Sequence, residues 1–301
     1  MRRAWGVLVV VLALTTANSC QRPPGTDGSL ADDWAAISEA KVPVPEVGSC
    51  YRTSATYAWV LDKYVGSTTP SCEEPHHLET FHVGTFSGAD ALRPTPPPNG
   101  SPEARRAYEA CATEAKAFFG EDWRNGRLDI AVLFPTSAQW TGDARFFRCD
   151  AMELASPAGL LQERKGSLRD GLKGERPLAL NCAAIVRNST EIEDLSPTAC
   201  TTPHDVEFAG MFVAADVPYP DKAEERQRLG NGCQSIFLGY VGVTAGQWSS
   251  SRRDLSYLSW LAAGADGWQM GNRGVRCYVM VLDGVKVKAS LKSIGTRPLP
   301  R

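Results

Sequence analysis

The chain has 301 residues, of which 43% are hydrophobic and 22% are charged. This length predicts two domains of ordinary size, and the composition is typical of globular proteins. The formal net charge is −2 and no block of like charge stands out, so nucleic-acid binding has no electrostatic support.

The N-terminus has the pattern of an export signal. Arg2 and Arg3 precede an uncharged, mostly apolar stretch from Ala4 to Leu14. That stretch is too short to span a bilayer and is typical of a signal peptide. We therefore interpret residues 1–19 as a signal peptide and predict an extracytoplasmic location.

Cys20 is the predicted lipid anchor. Ala17-Asn18-Ser19-Cys20 resembles a bacterial lipobox, in which the cysteine is lipidated and becomes the new N-terminus, although Asn18 departs from the usual pattern. The alternative is cleavage after Ala17, which leaves Cys20 free in a secreted protein. Of the nine cysteines, setting Cys20 aside leaves eight, an even number that can pair completely, and this favours lipidation.

The first folded elements follow a tether. Residues 20–47 are rich in Pro, Gly, Asp and Ser, which predicts a flexible segment. Alternating apolar and polar residues from Glu79 to Phe86 predict a half-buried strand. Ser101 as N-cap, Pro102 in the first turn and Gly120 as the stop predict a long helix. Two apolar runs then predict buried strands, at Leu128–Phe134 and Phe146–Leu154.

Two motifs occur twice in the chain. Cys-x-x-Pro-His-x-x-Glu is found at Cys72–Glu79 and again at Cys200–Glu207, each time before a strand-like run. A tryptophan followed by arginines five and eight positions later and a cysteine nine positions later is found at Trp140–Cys149 and at Trp268–Cys277. Such internal similarity indicates a duplication.

The second copy repeats the order of elements in the first. Phe208–Val217 predicts a strand, and the helix that follows is weakened in its middle by Gly230 and Gly232. We align Asp254–Leu258 with Asp129–Leu133 as the next strand.

The sequence therefore predicts an α+β protein of two homologous, disulfide-stapled domains, each a small antiparallel sheet packed with one helix. The polar stretch Glu153–Lys173 suggests the boundary between them. The predicted segments are a first domain at 48–158, a linker at 159–176, a second domain at 177–290 and a tail at 291–301.

The eight remaining cysteines allow 105 pairings, or three if each copy closes on itself in the same way. Neighbour pairing costs the least loop-closure entropy and joins each helix cysteine to the strand on which it packs. No Cys-x-x-Cys occurs, so the spacing disfavours a metal site on these cysteines. The favoured bridges are Cys50–Cys72, Cys111–Cys149, Cys182–Cys200 and Cys233–Cys277.

The repeated motif contains the residues best suited to acid–base chemistry: His76, Glu79, His204 and Glu207. We favour a structural turn instead, in which proline fixes the backbone, histidine bonds a nearby carbonyl and glutamate accepts a bond. In the first copy, His82 would complete a zinc set with the histidine and glutamate of the motif. Gly210 stands at the aligned position of the second copy, which excludes a duplicated metal site.

The second repeated motif offers aromatic and cationic residues. Trp140 and Trp268 precede strands and are predicted to be core anchors. Arg145 and Arg273 have the fork geometry to bind a carboxylate or phosphate, but the more common arrangement is an ion pair with an acid such as the glutamate of the other motif. No Gly-x-Ser-x-Gly, His-Glu-x-x-His or phosphate-binding loop occurs, so we assign no catalytic residue, metal ligand or cofactor.

These motifs also carry a family resemblance. Gly48-Ser49-Cys50, the Cys72–Glu79 motif, the helix with Cys111 and the Trp140–Cys149 motif together resemble the septum-formation family of bacterial envelope proteins. Residues 182–282 resemble it more loosely. The resemblance implies an exported, membrane-associated protein of high-GC Gram-positive bacteria with a link to cell division, and it brings no catalytic residues with it.

The preferred function is that of a lipid-anchored, non-enzymatic module of the cell envelope that binds an envelope protein or a cell-wall component. The first alternative is a cell-wall-acting enzyme that uses His76 or His204, and the second is a metal-binding lipoprotein. A cleft that holds a histidine, an acid and a nucleophile together would favour the enzyme. Histidines buried in the core would favour the binding module.

Overall fold

The computed structural model describes residues 42–58, 67–189 and 191–301. The predicted signal peptide, Cys20 and most of the predicted tether lie outside the described residues. The chain from Val42 onward belongs to one unit, so the positions of its elements relative to one another are defined.

Two antiparallel sheets of five strands each organise the chain, which confirms the α+β prediction. The strands of the first sheet are β1 (Cys50–Arg52), β2 (Ser67–Thr68), β3 (Leu78–Thr85), β4 (Leu128–Leu133) and β5 (Phe146–Glu153). The strands of the second are β6 (Cys182–Asn188), β7 (Glu191–Thr198), β8 (Val206–Val213), β9 (Leu255–Leu261) and β10 (Gly274–Val281). Their spatial orders are β2-β1-β3-β5-β4 and β7-β6-β8-β10-β9, so both sheets have one topology, with β4 and β9 as corresponding edges.

The two sheets also share their register. Cys149 of β5 lies opposite His82 of β3, and Cys277 of β10 lies opposite Gly210 of β8. In each pair the ladder shifts at the residue just before His82 or Gly210. A bulge bends its strand and is a built feature rather than a defect, so its recurrence at one position strengthens the correspondence between the sheets.

The predicted alignment of the two edge strands is wrong by two residues. Val132 of β4 lies opposite Cys149, and Ser259 of β9 lies opposite Cys277. Val132 therefore corresponds to Ser259 and not to Tyr257. A slip of two positions leaves every side chain on the same face of the sheet, which is why the hydrophobic pattern did not reveal it.

Seven α-helices occur in the described residues, and none of them has the length and apolar character needed to cross a membrane. The main helix of the first half begins and ends as predicted: Ser101 accepts a hydrogen bond from the amide of Ala104, Pro102 is its first residue, and Gly120 ends it with φ at +90°. The helices are α1 (Gly88–Ala91), α2 (Pro102–Phe119), α3 (Ser137–Thr141), α4 (Ala223–Gly230), α5 (Cys233–Val241), α6 (Ala245–Ser251) and α7 (Ala265–Met270).

In the second half, the predicted single helix is divided into α4 and α5 at the two glycines. A Cβ atom at Gly230 would lie 2.4 Å from the Ser259 hydroxyl, and one at Gly232 would lie 2.6 Å from the Phe212 ring. Both distances are too short for real contacts, so the glycines allow the divided helix to pack closely on the sheet.

Two disulfides staple each half. One joins the main helix to β5 or β10, and the other joins β1 or β6 to the cysteine that begins the histidine motif. The bridges are those favoured from the sequence: Cys111–Cys149, Cys233–Cys277, Cys50–Cys72 and Cys182–Cys200.

The segments predicted as linker and tail pack into the folded halves in equivalent ways. Arg164 forms an isolated bridge with His76, and Val287 forms one with His204. Within a few residues of each bridge, a Lys-x-Ser-Leu sequence places one leucine in the core: Leu168 and Leu291 are both 0% exposed. We call residues 164–172 and 287–295 the closing segments, because each completes the core of its half.

Candidate functional site

The motif histidines lie buried at equivalent turns. Nδ1 of His76 donates to the carbonyl of Glu74 at 2.8 Å, and Nδ1 of His204 donates to the carbonyl of Thr202 at 2.8 Å. A carbonyl oxygen only accepts, so this geometry assigns the proton to Nδ1 in both rings. Each histidine thus fixes the loop that leads into β3 or β8, which is the geometry expected of a structural turn.

The motif glutamates bond the closing segments. Glu79 accepts a hydrogen bond of 2.6 Å from the Ser167 hydroxyl and one of 2.7 Å from the next backbone amide. Glu207 accepts one of 3.0 Å from the Ser290 hydroxyl and one of 2.8 Å from the next backbone amide. Both carboxylates are buried, and their hydrogen bonds hold each closing segment against its sheet.

The two halves differ at the second ring nitrogen. Nε2 of His204 lies 2.9 Å from Oε1 of Glu207, and the Tyr240 hydroxyl donates to the same carboxylate at 2.9 Å. In the described part of the first half, no residue bonds Nε2 of His76. Phe118 stands seven residues after the helix cysteine there, as Tyr240 does in the second half. Only the second half therefore has a continuous buried polar cluster around its glutamate.

The possible zinc set of His76, Glu79 and His82 is not assembled among the described residues. His82 does not join His76 in any group of potential ligand atoms, and its ring lies 6.3 Å from the ring of Phe147. The sulfur atoms nearest each motif histidine belong to Cys50–Cys72 and Cys182–Cys200. Bonded to each other, they offer no thiolate to a metal.

The repeated arginines form ion pairs with acids, as predicted, but their partners are Asp143 and Asp216 and not the motif glutamates. Arg145 donates to the carbonyl of Trp140 at 2.7 Å and lies over the indole ring, 4.4 Å from its centroid. Arg273 forms an ion pair with Asp216. The glutamates are already occupied by the closing segments, which no local pattern around the arginines indicates.

The repeated tryptophans are core anchors, as predicted. Trp140 and Trp268 are each 1% exposed. Their indole N–H groups donate to the carbonyls of Arg93 and Val217, both at 2.8 Å. Each tryptophan therefore fixes the loop before the main helix of its half while it fills the core.

Arg276 joins the two halves. Its guanidinium, 1% exposed, donates from the second sheet to the carbonyls of Arg124, Gly126 and Leu128 at 3.0, 3.1 and 3.0 Å. Arg124 in turn donates to Asn272 at 2.9 Å. These bonds hold the start of β4 beside β10, which positions the two sheet edges next to each other.

A cleft of about 700 Å³ lies between β4 and β9. Its lining includes every residue of Asp129–Leu133 and every residue of Ser259–Gly267. Successive residues of a strand point to opposite faces of the sheet, so an unbroken run lines a cleft only along the strand's edge. The cleft is therefore bordered by the outer edges of both sheets.

Hydrogen bonding identifies the groups of β4 that face the cleft. The amide of Leu154 bonds the carbonyl of Arg127, and antiparallel pairing alternates from that point. The backbone groups of Ile130 and Val132 consequently point away from β5. The Ile130 amide is capped at 2.9 Å by the carboxylate of Asp129, while within the described chain the backbone of Val132 has no bond on this side.

The same reasoning applies to β9. The amide of Ala262 bonds the carbonyl of Gly274, so the backbone groups of Ser259 and Leu261 point away from β10. Among the described residues, neither has a backbone bond on that side. The edges of β4 and β9 thus both direct unbonded backbone amides and carbonyls into the same cleft.

Asp129 lies at this edge with an altered acidity. Withdrawal from solvent raises the pKa of its carboxyl to about 6, and this outweighs the opposing effects of the Ile130 amide and of the Arg276 and Arg124 guanidinium groups. Asn272 also donates to this carboxyl, at 3.4 Å. The group therefore changes charge near neutral pH, where an ordinary aspartate is fully ionised.

Sequence reasoning did not identify this cleft. Whether a strand lies at an edge depends on the spatial order of the sheet, which residue patterns do not specify. The sequence contains one indication of the cleft, since Asp129 is the only charged residue in the apolar run Leu128–Phe134.

Comparison with known proteins gives one match. A family model described as septum formation matches residues 47–277 in a single span. That span begins just before β1 and ends within β10, so it covers both sheets. No curated protein and no solved structure gives a significant match.

Proposed function

Because the chain belongs to the septum-formation family, we propose that it is an exported, lipid-anchored binding module of the cell envelope, with a role related to septum formation. It acts without catalysis, and its target is an envelope protein or a cell-wall component. Cys20 is the anchor to the membrane.

The cleft between β4 and β9 is the observation that carries binding. Its described lining contains acidic, aromatic and small residues but no histidine. His76 and His204, the residues best suited to acid–base chemistry, are instead buried and bonded to the backbone of their own turns. This separation of the open cleft from the histidines favours a binding module over an enzyme that uses either of them.

Export is supported by two independent features. The N-terminal residues have a signal-peptide pattern. The folded part carries four disulfides, which form and persist outside the reducing cytosol.

We also propose that the two halves arose by duplication. The shared strand order, the bulge at one corresponding position and the two equivalent disulfides per half support this origin. The closing segments add a further likeness, since both end a half with the same Lys-x-Ser-Leu sequence.

Fractionation and imaging of the full chain test the proposed function. The chain, tagged at its C-terminus, should enter the membrane fraction and collect at division septa, whereas Cys20→Ala should be released from membranes. Ser19→Ala keeps a small residue before the cysteine and serves as the matched control. An unchanged membrane fraction for Cys20→Ala contradicts the anchor, and an even distribution around the cell contradicts the link to the septum.

A further inference from the structure

We propose that the cleft between β4 and β9 binds an extended polypeptide segment, which adds as a strand to the open edges and places a cationic side chain beside Asp129. This rests on the proposed binding function and names the class of its partner. The supporting observations are the backbone groups at the edges, the shape of the wall and the balance of charge.

The backbone of the cleft has the bonding pattern that an added strand uses. Val132, Ser259 and Leu261 direct amide and carbonyl groups into the cleft, and no described residue bonds them there. An extended peptide supplies acceptors and donors at the same two-residue spacing. Open edges of this kind are usually covered or blunted in proteins, because they pair readily with other chains.

On β4, the unbonded backbone groups are confined to the part of the strand that faces the cleft. At the start of β4, Arg276 occupies the carbonyls of Gly126 and Leu128. The backbone of Arg127 bonds Leu178, and Leu180 bonds Asn125. One end of the edge is thus closed by the protein itself, while the remainder stays accessible along a defined length.

The wall beyond β9 permits close approach of a second backbone. The run after Leu261 consists of alanines and glycines with one acid: Ala262, Ala263, Gly264, Ala265, Asp266 and Gly267. Short side chains leave room for a peptide main chain. Trp260 borders the same run, and its indole donates to the carbonyl of Pro157 at 3.0 Å.

The described lining of the cleft holds two acids, Asp129 and Asp266, and one cation, Arg226. Asp266 is exposed and has no ion pair within the described chain. Arg226 keeps its charge, but its guanidinium is directed to the carbonyls of Pro220 and Asp221. Arg124 and Arg276 lie outside the lining and donate to Asn272 and to the carbonyl of Arg124. A peptide with a lysine or arginine therefore complements the cleft better than a neutral or acidic one.

Hydrogen exchange of the full chain measures the edges directly. In the free protein, the amides of Val132, Ser259 and Leu261 should exchange as rapidly as exposed amides. The amide of Trp260, which points toward β10, should be protected. Slow exchange at all three edge amides of the free protein would mean that the chain already covers its own edges, and would overturn the proposal.

A phage-displayed library of random dodecapeptides supplies the probe. Selection on the full chain should enrich peptides with a lysine or arginine at one position, and these should protect the three edge amides. Methylation of alternate peptide nitrogens should weaken binding at least about tenfold, the equivalent of one lost hydrogen bond of 1.4 kcal/mol. This comparison leaves the protein unchanged, so it does not depend on the folding of a variant.

Matched substitutions locate the site. Leu261→Pro removes an amide that faces the cleft and leaves the β10 ladder intact; Pro197 in β7 already shows that an edge of this sheet accepts proline. Asp129→Asn should abolish the preference for a cationic residue. Asp194→Asn is its control, because Asp194 caps the next amide of the opposite edge strand in the same way.

The outcomes separate this proposal from the proposed function. Failure to enrich any peptide, or equal binding to the wild type and to folded Leu261→Pro, overturns strand addition. Neither result affects septal localisation or membrane anchoring. Loss of localisation with peptide binding intact would instead contradict the proposed function alone.

Discussion

His76 and His204 occupy one position in two corresponding turns, yet they differ in their partners. Each donates through Nδ1 to a backbone carbonyl, but only His204 also contacts its glutamate. Nε2 of His204 and Oε1 of Glu207 lie 2.9 Å apart and both residues are buried. Removing one partner of such a buried contact leaves the other without compensation.

We expect His204→Ala to destabilise the protein more than His76→Ala. The first leaves the Glu207 carboxyl buried without one of its partners, which costs about 3–5 kcal/mol. The second removes one bond to a carbonyl and costs about 1–3 kcal/mol. Urea unfolding of both variants measures the difference, with Tyr240→Phe as a control that removes only a hydroxyl. Equal losses would show that the Glu207 contact adds nothing.

Asp129 predicts a pH dependence of stability. Its folded pKa of about 6 lies above the ordinary aspartate value of 3.8, so the folded protein binds this proton more tightly than the unfolded chain does. Its contribution to the free energy of unfolding therefore falls as the pH rises from about 4 to 6, by up to about 3 kcal/mol. Asp129→Asn should remove this fall and be more stable than the wild type at pH 7.5.

Urea titrations at several pH values between 4 and 7.5 test this expectation. Asp194→Asn is the control, because it removes an equivalent negative charge from an edge strand while keeping the local bond to the next amide. If Asp129→Asn and the wild type follow the same pH profile, the acidity assigned to Asp129 is wrong.

At the scale of elements, the closing segments have a role that their composition hides. Each carries one fully buried leucine within a polar stretch, Leu168 or Leu291, beside the amide that bonds a motif glutamate. The hydrophobic pattern does not predict that such a stretch is buried, because the stretch has neither helical nor strand periodicity.

We expect Leu168→Ala and Leu291→Ala to destabilise their halves by similar amounts, about 2–5 kcal/mol each, since both remove a buried leucine from a packed core. Lys292→Ala changes the exposed neighbour and should alter stability by less than about 0.5 kcal/mol. Thermal and urea unfolding measure all three. Wild-type stability for Leu291→Ala would return residues 291–301 to the status of a dispensable tail.

The elements predicted correctly have strong local signals. Helix α2 has its Ser101 cap, Pro102 and Gly120, and strands β4 and β5 lie in mostly apolar runs. Strand β5 is buried as predicted, whereas β4 is an edge strand and only partly buried. Local signals did not indicate contacts between distant segments. The ion pair of Arg273 with Asp216, the bonds between Glu79 and its closing segment and the edge position of β4 all depend on the three-dimensional arrangement.

At the scale of the whole molecule, Arg276 and Arg148 show that the two halves use one motif position differently. Arg148 stands just before the cysteine of β5, and Arg276 stands just before the cysteine of β10. Arg148 pairs with Asp150 inside its own half at 2.8 Å, whereas Arg276 bonds three carbonyls of the other half. The arginine at this motif position thus forms an ion pair within the first half, whereas in the second half it bonds the backbone of the first half.

We expect Arg276→Met to weaken this coupling. Methionine fills part of the same space but provides no donors, so three buried carbonyls lose partners, at about 1.5–3 kcal/mol per charge-assisted bond before relaxation. Calorimetry should show one cooperative transition for the wild type. The variant should show two transitions, or a van't Hoff enthalpy smaller than the calorimetric enthalpy. Arg148→Met is the control; it should destabilise the first half and leave the contacts of Arg276 in place. A single, unshifted transition for Arg276→Met would contradict the coupling.

The closing segments also set an order on biosynthesis. The backbone amide that donates to Glu79 lies 89 residues further along the chain, and the one that donates to Glu207 lies 84 residues further along. At about 5–20 residues per second, ribosomes need roughly 4–18 seconds to make such an interval. In that interval the main helix and the last two strands of the half are synthesised, while the motif carboxylate still lacks the serine and the amide of its closing segment. Neither half therefore completes its fold before its own closing segment has been synthesised, and for the second half that requires residues 287–295.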